Sequence, residues 1–184
     1  MRCFIAIEIP DEVKAGLVKV QEDLAGYGRF KMVEYDNLHL TLKFLGEVPE
    51  DNIPHINEKL LEISEKSFNM EVRGIGVFPS ARNPRIVWAG VRQGSAEVTR
   101  LHGIIEDKLA PLGFVKDKRF HPHITIARVK DIDSRPGLSD FIGRCASTSF
   151  GGGRVEKIIL KQSILRDTGP EYHNIGEIIF KGSI

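Results

Sequence analysis

Two short segments of the sequence each place a threonine two residues after a histidine. They are His39-Leu40-Thr41 and His123-Ile124-Thr125, which lie about half a chain apart. Histidine can exchange a proton near neutral pH because its ordinary pKa is about 6.5. Threonine can donate a hydrogen bond to an anionic oxygen. Each pair could therefore bind a phosphate through the hydroxyl group and transfer a proton through the imidazole.

Two such pairs suit displacement at phosphorus. An in-line reaction places the attacking and leaving oxygens on opposite sides of the phosphorus atom. One histidine could serve as base on one side and the other as acid on the opposite side, while Thr41 and Thr125 hold the phosphoryl oxygens. This chemistry requires no metal and no cofactor. The spacing alone leaves open which of His39 and His123 is the acid.

Both pairs lie in segments that predict half-buried strands. Apolar residues alternate there with the polar ones, and side chains two residues apart on a strand share a face about 6.5 to 7 Å apart. A lone His-x-Thr is a weak motif, but two of them in phase with apolar strand faces are poorly explained by chance. In the first strand the predicted buried face carries Leu38, Leu40, Leu42 and Phe44, and the opposite face carries His39, Thr41 and Lys43.

Two cations are further candidates for the site. Lys43, on the predicted face of His39, could contact phosphate or could face water. Arg128 lies five residues after His123, an offset that is consistent with the opposite strand face. The surrounding segment "VKDKRFHPHITIARVK" is rich in Lys and Arg, which suits a phosphate-bearing ligand and equally suits a solvated charged surface.

The elements around the pairs suggest an internal duplication. A strand from Arg2, a helix capped by Asp11 and the first His/Thr strand are echoed by a strand, a helix from Ser95 and the second His/Thr strand. The pattern predicts an α+β fold of two pseudo-symmetric lobes of mainly antiparallel sheet, with outer helices around a central cleft. We expect residues 1–184 to form a single bilobal domain.

The paired motifs resemble those of the two-histidine (2H) phosphoesterase superfamily. The flanking strings "FIAIEIP", "LHLTLKFLGEV" and "HPHITIARV" are similar to its RNA 2′,3′-cyclic phosphodiesterase branch, the LigT or ThpR 2′-5′ RNA ligase family. The resemblance implies metal-independent hydrolysis of RNA 2′,3′-cyclic phosphate ends to 2′-phosphomonoesters, with reversible, ATP-independent 2′-5′ ligation. It also implies His39 as general acid, His123 as general base, and Thr41 and Thr125 as phosphate-binding hydroxyls. The family's H-x-T-x-x-R string ends here at Arg128, which makes Arg128, together with Lys43, a candidate contact to RNA or phosphate.

Three alternatives stay open at the level of sequence. The chain could be a non-catalytic module that binds RNA ends, a 2H phosphodiesterase acting on another cyclic nucleotide, or a metallohydrolase built on His121 and His123. Trp88 and Phe44 could stack a base, although core packing is the commoner role of such residues. His102, on a predicted helix, is expected at the surface or its boundary.

Composition adds expectations about partners and location. The net charge is +1, and the two cysteines, Cys3 and Cys145, form no metal-binding motif and favour a reducing compartment. No segment has the apolar length of a membrane span or signal peptide. We expect a cytoplasmic monomer without a membrane partner, and a substrate that is RNA with a cyclic phosphate end, such as a tRNA fragment, or a nucleotide.

Overall fold

The computed structural model describes residues 1–167 and 169–181, which form one antiparallel sheet flanked by helices. In chain order the α-helices and strands are β1 (Arg2–Glu8), α1 (Asp11–Leu24), β2 (Gly28–Met32), β3 (His39–Glu47), α2 (Ile53–Leu61), β4 (Phe68–Phe78), β5 (Ile86–Val91), α3 (Ser95–Leu109), β6 (His123–Ile132), α4 (Arg135–Cys145), β7 (Ser149–Val155), β8 (Lys157–Arg166) and β9 (Gly169–Ile179).

The strand order places the two His/Thr strands side by side at the centre of the sheet. The order is β7-β4-β5-β6-β3-β1-β8-β9, with β2 paired to β6. All of these pairs are antiparallel, so the predicted α+β class with mainly antiparallel sheet is confirmed. The chain therefore divides its strands into two groups that meet at β3 and β6. The extension of a single bilobal domain over residues 1–184 stays a prediction.

The helices bury apolar stripes in a core that is continuous with one face of the sheet. Helix α1 buries Val13, Leu17 and Leu24, and α3 buries Leu101 and Ile105. These residues follow the three- and four-residue spacing that brings side chains to one side of a helix. They pack in one hydrophobic cluster with the inward residues of the central strands, including Ile5, Ile7, Leu40, Leu42, Ile124 and Ile126.

The structure corrects the predicted cap of the first helix and contains two elements that the sequence did not fully indicate. Helix α1 begins at Asp11 itself, and the residue that caps it is Pro10, without a side-chain hydrogen bond. Helix α4 runs from Arg135 to Cys145, and Ser134 caps it by accepting a hydrogen bond from the Gly137 backbone N–H. Strand β2 was not predicted, because its five residues mix charged and apolar side chains without a clear buried face.

A β-bulge interrupts each of the two His/Thr strands directly after its threonine. In β3, Thr41 pairs with Ala6 and Lys43 pairs with Ile5, so Leu42 is the extra residue. In β6, Thr125 pairs with Trp88 and Ala127 pairs with Val87, so Ile126 is the extra residue. An extra residue in one strand reverses the faces of all that follow it.

No helix within the described ranges is long and apolar enough to cross a membrane.

Candidate active site

The register between β3 and β6 brings the four predicted catalytic side chains together. Leu40 pairs with Ile124 in an antiparallel ladder. His39 therefore lies across from Thr125, and Thr41 lies across from His123. Directly opposed side chains have Cβ atoms about 5 Å apart, and diagonal neighbours are about 7 to 8 Å apart. All four side chains line one cleft of about 440 Å³.

Each histidine is held in the same way by the carbonyl group two residues before it. Nδ1 of His39 lies 2.7 Å from the Asn37 carbonyl oxygen, and Nδ1 of His123 lies 2.6 Å from the His121 carbonyl oxygen. A carbonyl oxygen can only accept, so Nδ1 donates its proton in both rings. In the neutral imidazoles, Nε2 then carries the lone pair.

The two Nε2 atoms are the groups that can exchange protons with a ligand. In the first pair, Nε2 of His39 lies 2.9 Å from Oγ1 of Thr41, so the hydroxyl donates to the ring. This contact confirms that residues two apart share a strand face here. A phosphate that enters the cleft could take over the threonine hydroxyl and leave Nε2 free for proton transfer.

Aromatic side chains wall both histidines. The ring of Phe4 stacks on His39 with centroids 4.9 Å apart, and Tyr172 meets the same imidazole edge-on at 5.4 Å. On the other side, Phe78 and Trp88 lie 5.2 Å and 6.4 Å from the ring of His123. These rings partly shield both imidazoles, which are half-buried in the cleft, and restrict their orientation.

The same walls lower the pKa of each histidine. Burial, which penalises the charged imidazolium, lowers the pKa of His39 from 6.5 to about 4 and outweighs the opposing effect of the Asn37 carbonyl. Burial also lowers the pKa of His123. At neutral pH both rings are therefore neutral.

The two β-bulges determine which side chains face the cleft after each His-x-Thr pair. Because Ile126 is an extra residue, Arg128 returns to the face of Thr125, and the face assigned to it from simple alternation is wrong. By the same shift in β3, Phe44 turns onto the face of Thr41 and is 72% exposed in the cleft, so its predicted place in the core is also wrong. The cleft thus carries a cation after one pair and an aromatic ring after the other.

The bulge in β3 also moves Lys43 away from the predicted face of His39. Its side chain is 2% exposed, so the alternative in which it faces water is wrong. The ammonium group pairs with the Glu106 carboxylate of α3 and donates to the Val115 carbonyl at 2.9 Å. Because its charge is neutralised in this way, Lys43 offers no free cation to a ligand.

His102 is buried rather than at the surface. Its Nδ1 lies 2.9 Å from the Leu42 carbonyl oxygen, and its ring stacks on Phe120 at 3.9 Å. Its Nε2 lies 3.9 Å from Glu106. The buried network of Lys43, His102 and Glu106 therefore joins β3, α3 and the segment that leads to His121.

One family model matches most of the chain. The model described as "LigT like Phosphoesterase" matches residues 7–88 and 90–172, and each matched segment contains one His-x-Thr pair. The chain belongs to this family.

Individual relatives of the LigT-like chain agree with this assignment. An RNA 2′,3′-cyclic phosphodiesterase of Archaeoglobus fulgidus is 39% identical over 175 residues, which are 95% of this chain and 98% of the relative. The crystal structure of TT0787 of Thermus thermophilus superposes with a TM-score of 0.82 at 31% identity, covering 100% of both chains. E. coli LigT complexed with 3′-AMP gives a TM-score of 0.78 at 25% identity, covering 98% of both chains.

Further residues of the LigT-like cleft escaped the sequence analysis. Tyr172 and Pro170 reach the cleft from β9, far along the chain from both pairs, and Asn37 fixes that strand by donating to the Pro170 carbonyl at 2.8 Å. Lys31 enters from the unpredicted strand β2. Only the strand order brings these residues to the site, so no local spacing could have indicated them.

The alternative metal pair of His121 and His123 has no third ligand close enough to complete a site within the described part of the chain. Within residues 1–167 and 169–181, one group of three side chains has metal-like spacing, namely His102, Glu106 and Asp117. It includes neither His121 nor His123. The ammonium group of Lys43 pairs with Glu106 and lies 3.9 Å from Asp117. The positive charge that a metal ion would supply to these carboxylates is therefore already supplied by Lys43.

Proposed function

We propose that this LigT-like phosphoesterase hydrolyses RNA ends that carry a 2′,3′-cyclic phosphate and yields 2′-phosphomonoesters by two-histidine acid/base catalysis. The observation that carries the proposal is the register of Leu40 against Ile124, because it opposes the two His-x-Thr pairs across one cleft. Relatives named RNA 2′,3′-cyclic phosphodiesterase, which match the chain over nearly its whole length, support the substrate class.

The chemical step needs one proton transfer on each side of phosphorus. His123, neutral through its lowered pKa, takes a proton from water at Nε2 while the water oxygen bonds to phosphorus. The bond between phosphorus and the 3′ oxygen breaks, and Nε2 of protonated His39 donates a proton to that oxygen. The phosphate stays on the 2′ oxygen. Thr41, Thr125 and the exposed guanidinium of Arg128 stabilise the charge on the non-bridging oxygens.

His39 must gain a proton before it can act as an acid. Its pKa of about 4 leaves it neutral at pH 7. A bound phosphate anion favours the charged imidazolium and raises this pKa. Substrate binding therefore favours protonation of His39, and a proton is taken up when a phosphate ligand binds.

Phe44 and Arg128 differ in chemistry and lie after different His-x-Thr pairs, so they can orient the terminal nucleotide in the cleft. Phe44 offers an exposed ring beside the first pair, and a base can stack on such a ring. We assign the base of the terminal nucleotide to Phe44 and its phosphate to the threonines and Arg128. E. coli LigT has been crystallised with 3′-AMP, which is consistent with a nucleotide in this cleft.

The same site could join RNA ends. If a 5′-hydroxyl replaces water as the nucleophile, His123 takes the proton of that hydroxyl and the 3′ oxygen again leaves with a proton from His39. The product is a 2′-5′ phosphodiester, and no ATP is consumed. In the reverse reaction the two histidines exchange roles. Independence of metals and cofactors, a tRNA-derived substrate, a cytoplasmic location and a monomeric state all stay predictions.

The proposed function is tested by identifying the product phosphate. We would incubate the protein in EDTA with a short RNA ending in 2′,3′-cyclic phosphate, in parallel with His39→Ala and His123→Ala. We expect the parent to form only the 2′-phosphate and each variant to lose at least about 100-fold in rate, as removal of a general acid or base does.

Matched controls separate the alternatives. His55→Ala removes an exposed histidine outside the cleft and should leave the rate unchanged. Loss of turnover in EDTA with recovery on added metal would favour a metallohydrolase. A parent that binds the RNA end without turnover would be a binding module, and a parent that acts on cyclic mononucleotides alone would have another substrate.

A further inference from the structure

Three exposed cations extend the cleft beyond the second His/Thr pair. Arg128 and Lys130 lie two residues apart on β6, and Lys31 lies on β2. All three line the cleft. We call them the basic strip.

The basic strip is not neutralised by the protein. Within the described residues, none of its three cations has a carboxylate within 4 Å, whereas the neighbouring Arg29 pairs with Asp131 at 3.5 Å. Two acids, Glu34 and Asp117, also line the cleft, and Asp117 lies 3.9 Å from the Lys43 ammonium group. The strip therefore presents an excess of positive charge.

The arrangement of the strip has an energetic cost. Lys31 and Arg128 are direct partners in the ladder between β2 and β6. Like charges placed directly opposite each other on a sheet are destabilising. In a strip with a purely structural role, carboxylates of the protein itself would be expected to offset this repulsion. A bound anion would have the same effect here.

The strip also extends too far to serve the reacting phosphate alone. A strand rises about 3.3 Å per residue, so the five residues from Thr125 to Lys130, one of them the bulged Ile126, span roughly 13 to 16 Å along β6. A phosphate held between the two threonines is out of reach of its ammonium group. A second anionic group, covalently linked to the first, would be within reach.

We propose that Lys31 and Lys130 form a subsite for the phosphodiester that precedes the terminal nucleotide of the RNA. This inference rests on the proposed function and specifies its substrate as a chain rather than a mononucleotide. Phosphate contacts position the strand without reading its sequence. The subsite therefore confers a preference for length that does not depend on the upstream bases.

The test compares two substrates that share the same reacting end. One is cytidine 2′,3′-cyclic phosphate, and the other is a four-nucleotide RNA ending in that group. For the parent we expect kcat/KM to be roughly tenfold higher on the tetranucleotide at low salt, because charge-assisted contacts are among the stronger hydrogen bonds. In the double variant Lys31→Ala/Lys130→Ala, the ratio of the two kcat/KM values should fall close to one.

Salt dependence and conservative variants distinguish a phosphate subsite from a general defect. The slope of log kcat/KM for the tetranucleotide against log salt should become shallower by about 1 in the double variant. Lys31→Arg/Lys130→Arg should keep the length preference. Lys19→Ala, which removes an exposed cation of α1 outside the cleft, should keep both the ratio and the slope.

The outcomes are separable. A parent that hydrolyses both substrates equally well, or a double variant that keeps the parent's ratio, overturns the subsite. A parent that hydrolyses neither substrate overturns the proposed function and the subsite with it.

Discussion

At the scale of single residues, the two His/Thr strands hold their histidines in the same way but differ in the residue that follows each threonine on the cleft face. His39 and His123 are each oriented by the carbonyl two residues earlier, and each is enclosed by aromatic rings. Their local geometry is thus alike. What differs is the residue beyond each threonine, an exposed Phe44 in one case and Arg128 in the other. In the proposed mechanism, the orientation of the substrate gives these similarly placed histidines their separate roles as acid and base.

The aromatic wall around His39 predicts the effect of removing Tyr172. In Tyr172→Ala, water reaches the imidazole, so the penalty on its charged form falls and the pKa of His39 rises from about 4 toward 6.5. An NMR titration of the histidine ring protons measures this pKa. Tyr172→Phe keeps the ring and should keep the low pKa. Equal values in the parent and in Tyr172→Ala would show that burial by this ring is not the cause.

The two lowered pKa values also predict the pH dependence of catalysis. The proposed mechanism requires one protonated and one neutral histidine in the free enzyme, and both pKa values lie below 6.5. As the pH rises above 6.5, the singly protonated form becomes rarer. We expect kcat/KM to peak below pH 6.5 and to fall about tenfold per pH unit above it. A profile that is flat between pH 6.5 and 8 would contradict this assignment.

At the scale of elements, the two bulges determine most of the cleft. Alternation along the sequence indicated the His/Thr faces and the buried leucines and isoleucines, because these residues precede the bulges or are the extra residues themselves. It failed for Lys43, Phe44 and Arg128, which follow them. A bulge is specified by pairing with neighbouring strands, and such pairing is not visible in the local pattern.

The buried ion pair between β3 and α3 predicts a large loss of stability on breaking it. Glu106→Ala leaves the Lys43 ammonium buried without its carboxylate, which should cost about 3 to 5 kcal/mol in the free energy of unfolding. Urea denaturation measures this change. The double variant Lys43→Met/Glu106→Leu replaces the pair with apolar side chains and should recover most of the loss. A Glu106→Ala protein as stable as the parent would mean that water or another group compensates the lysine.

At the scale of the whole molecule, the strand order turns two distant motifs into one site. The α+β class, most elements and the four catalytic candidates could be predicted from the sequence, because strand and helix periodicity and the repeated His-x-Thr are local signals. Strand β2 and the contribution of β9 could not, since Lys31 and Tyr172 reach the cleft only through the order of strands in the sheet. The basic strip, which carries the proposed preference for RNA chains, depends on one of these unpredicted strands.

The most direct test of the central claim, that two histidines flank one phosphorus atom, is a crystal structure of the protein with a nucleoside 2′-phosphate. We predict that Nε2 of His39 and Nε2 of His123 each lie about 3 Å from a phosphate oxygen or the 3′ oxygen, on opposite sides of the phosphorus. The threonine hydroxyls should donate to the remaining oxygens. A phosphate bound to one histidine alone, or bound outside the cleft, would contradict the account.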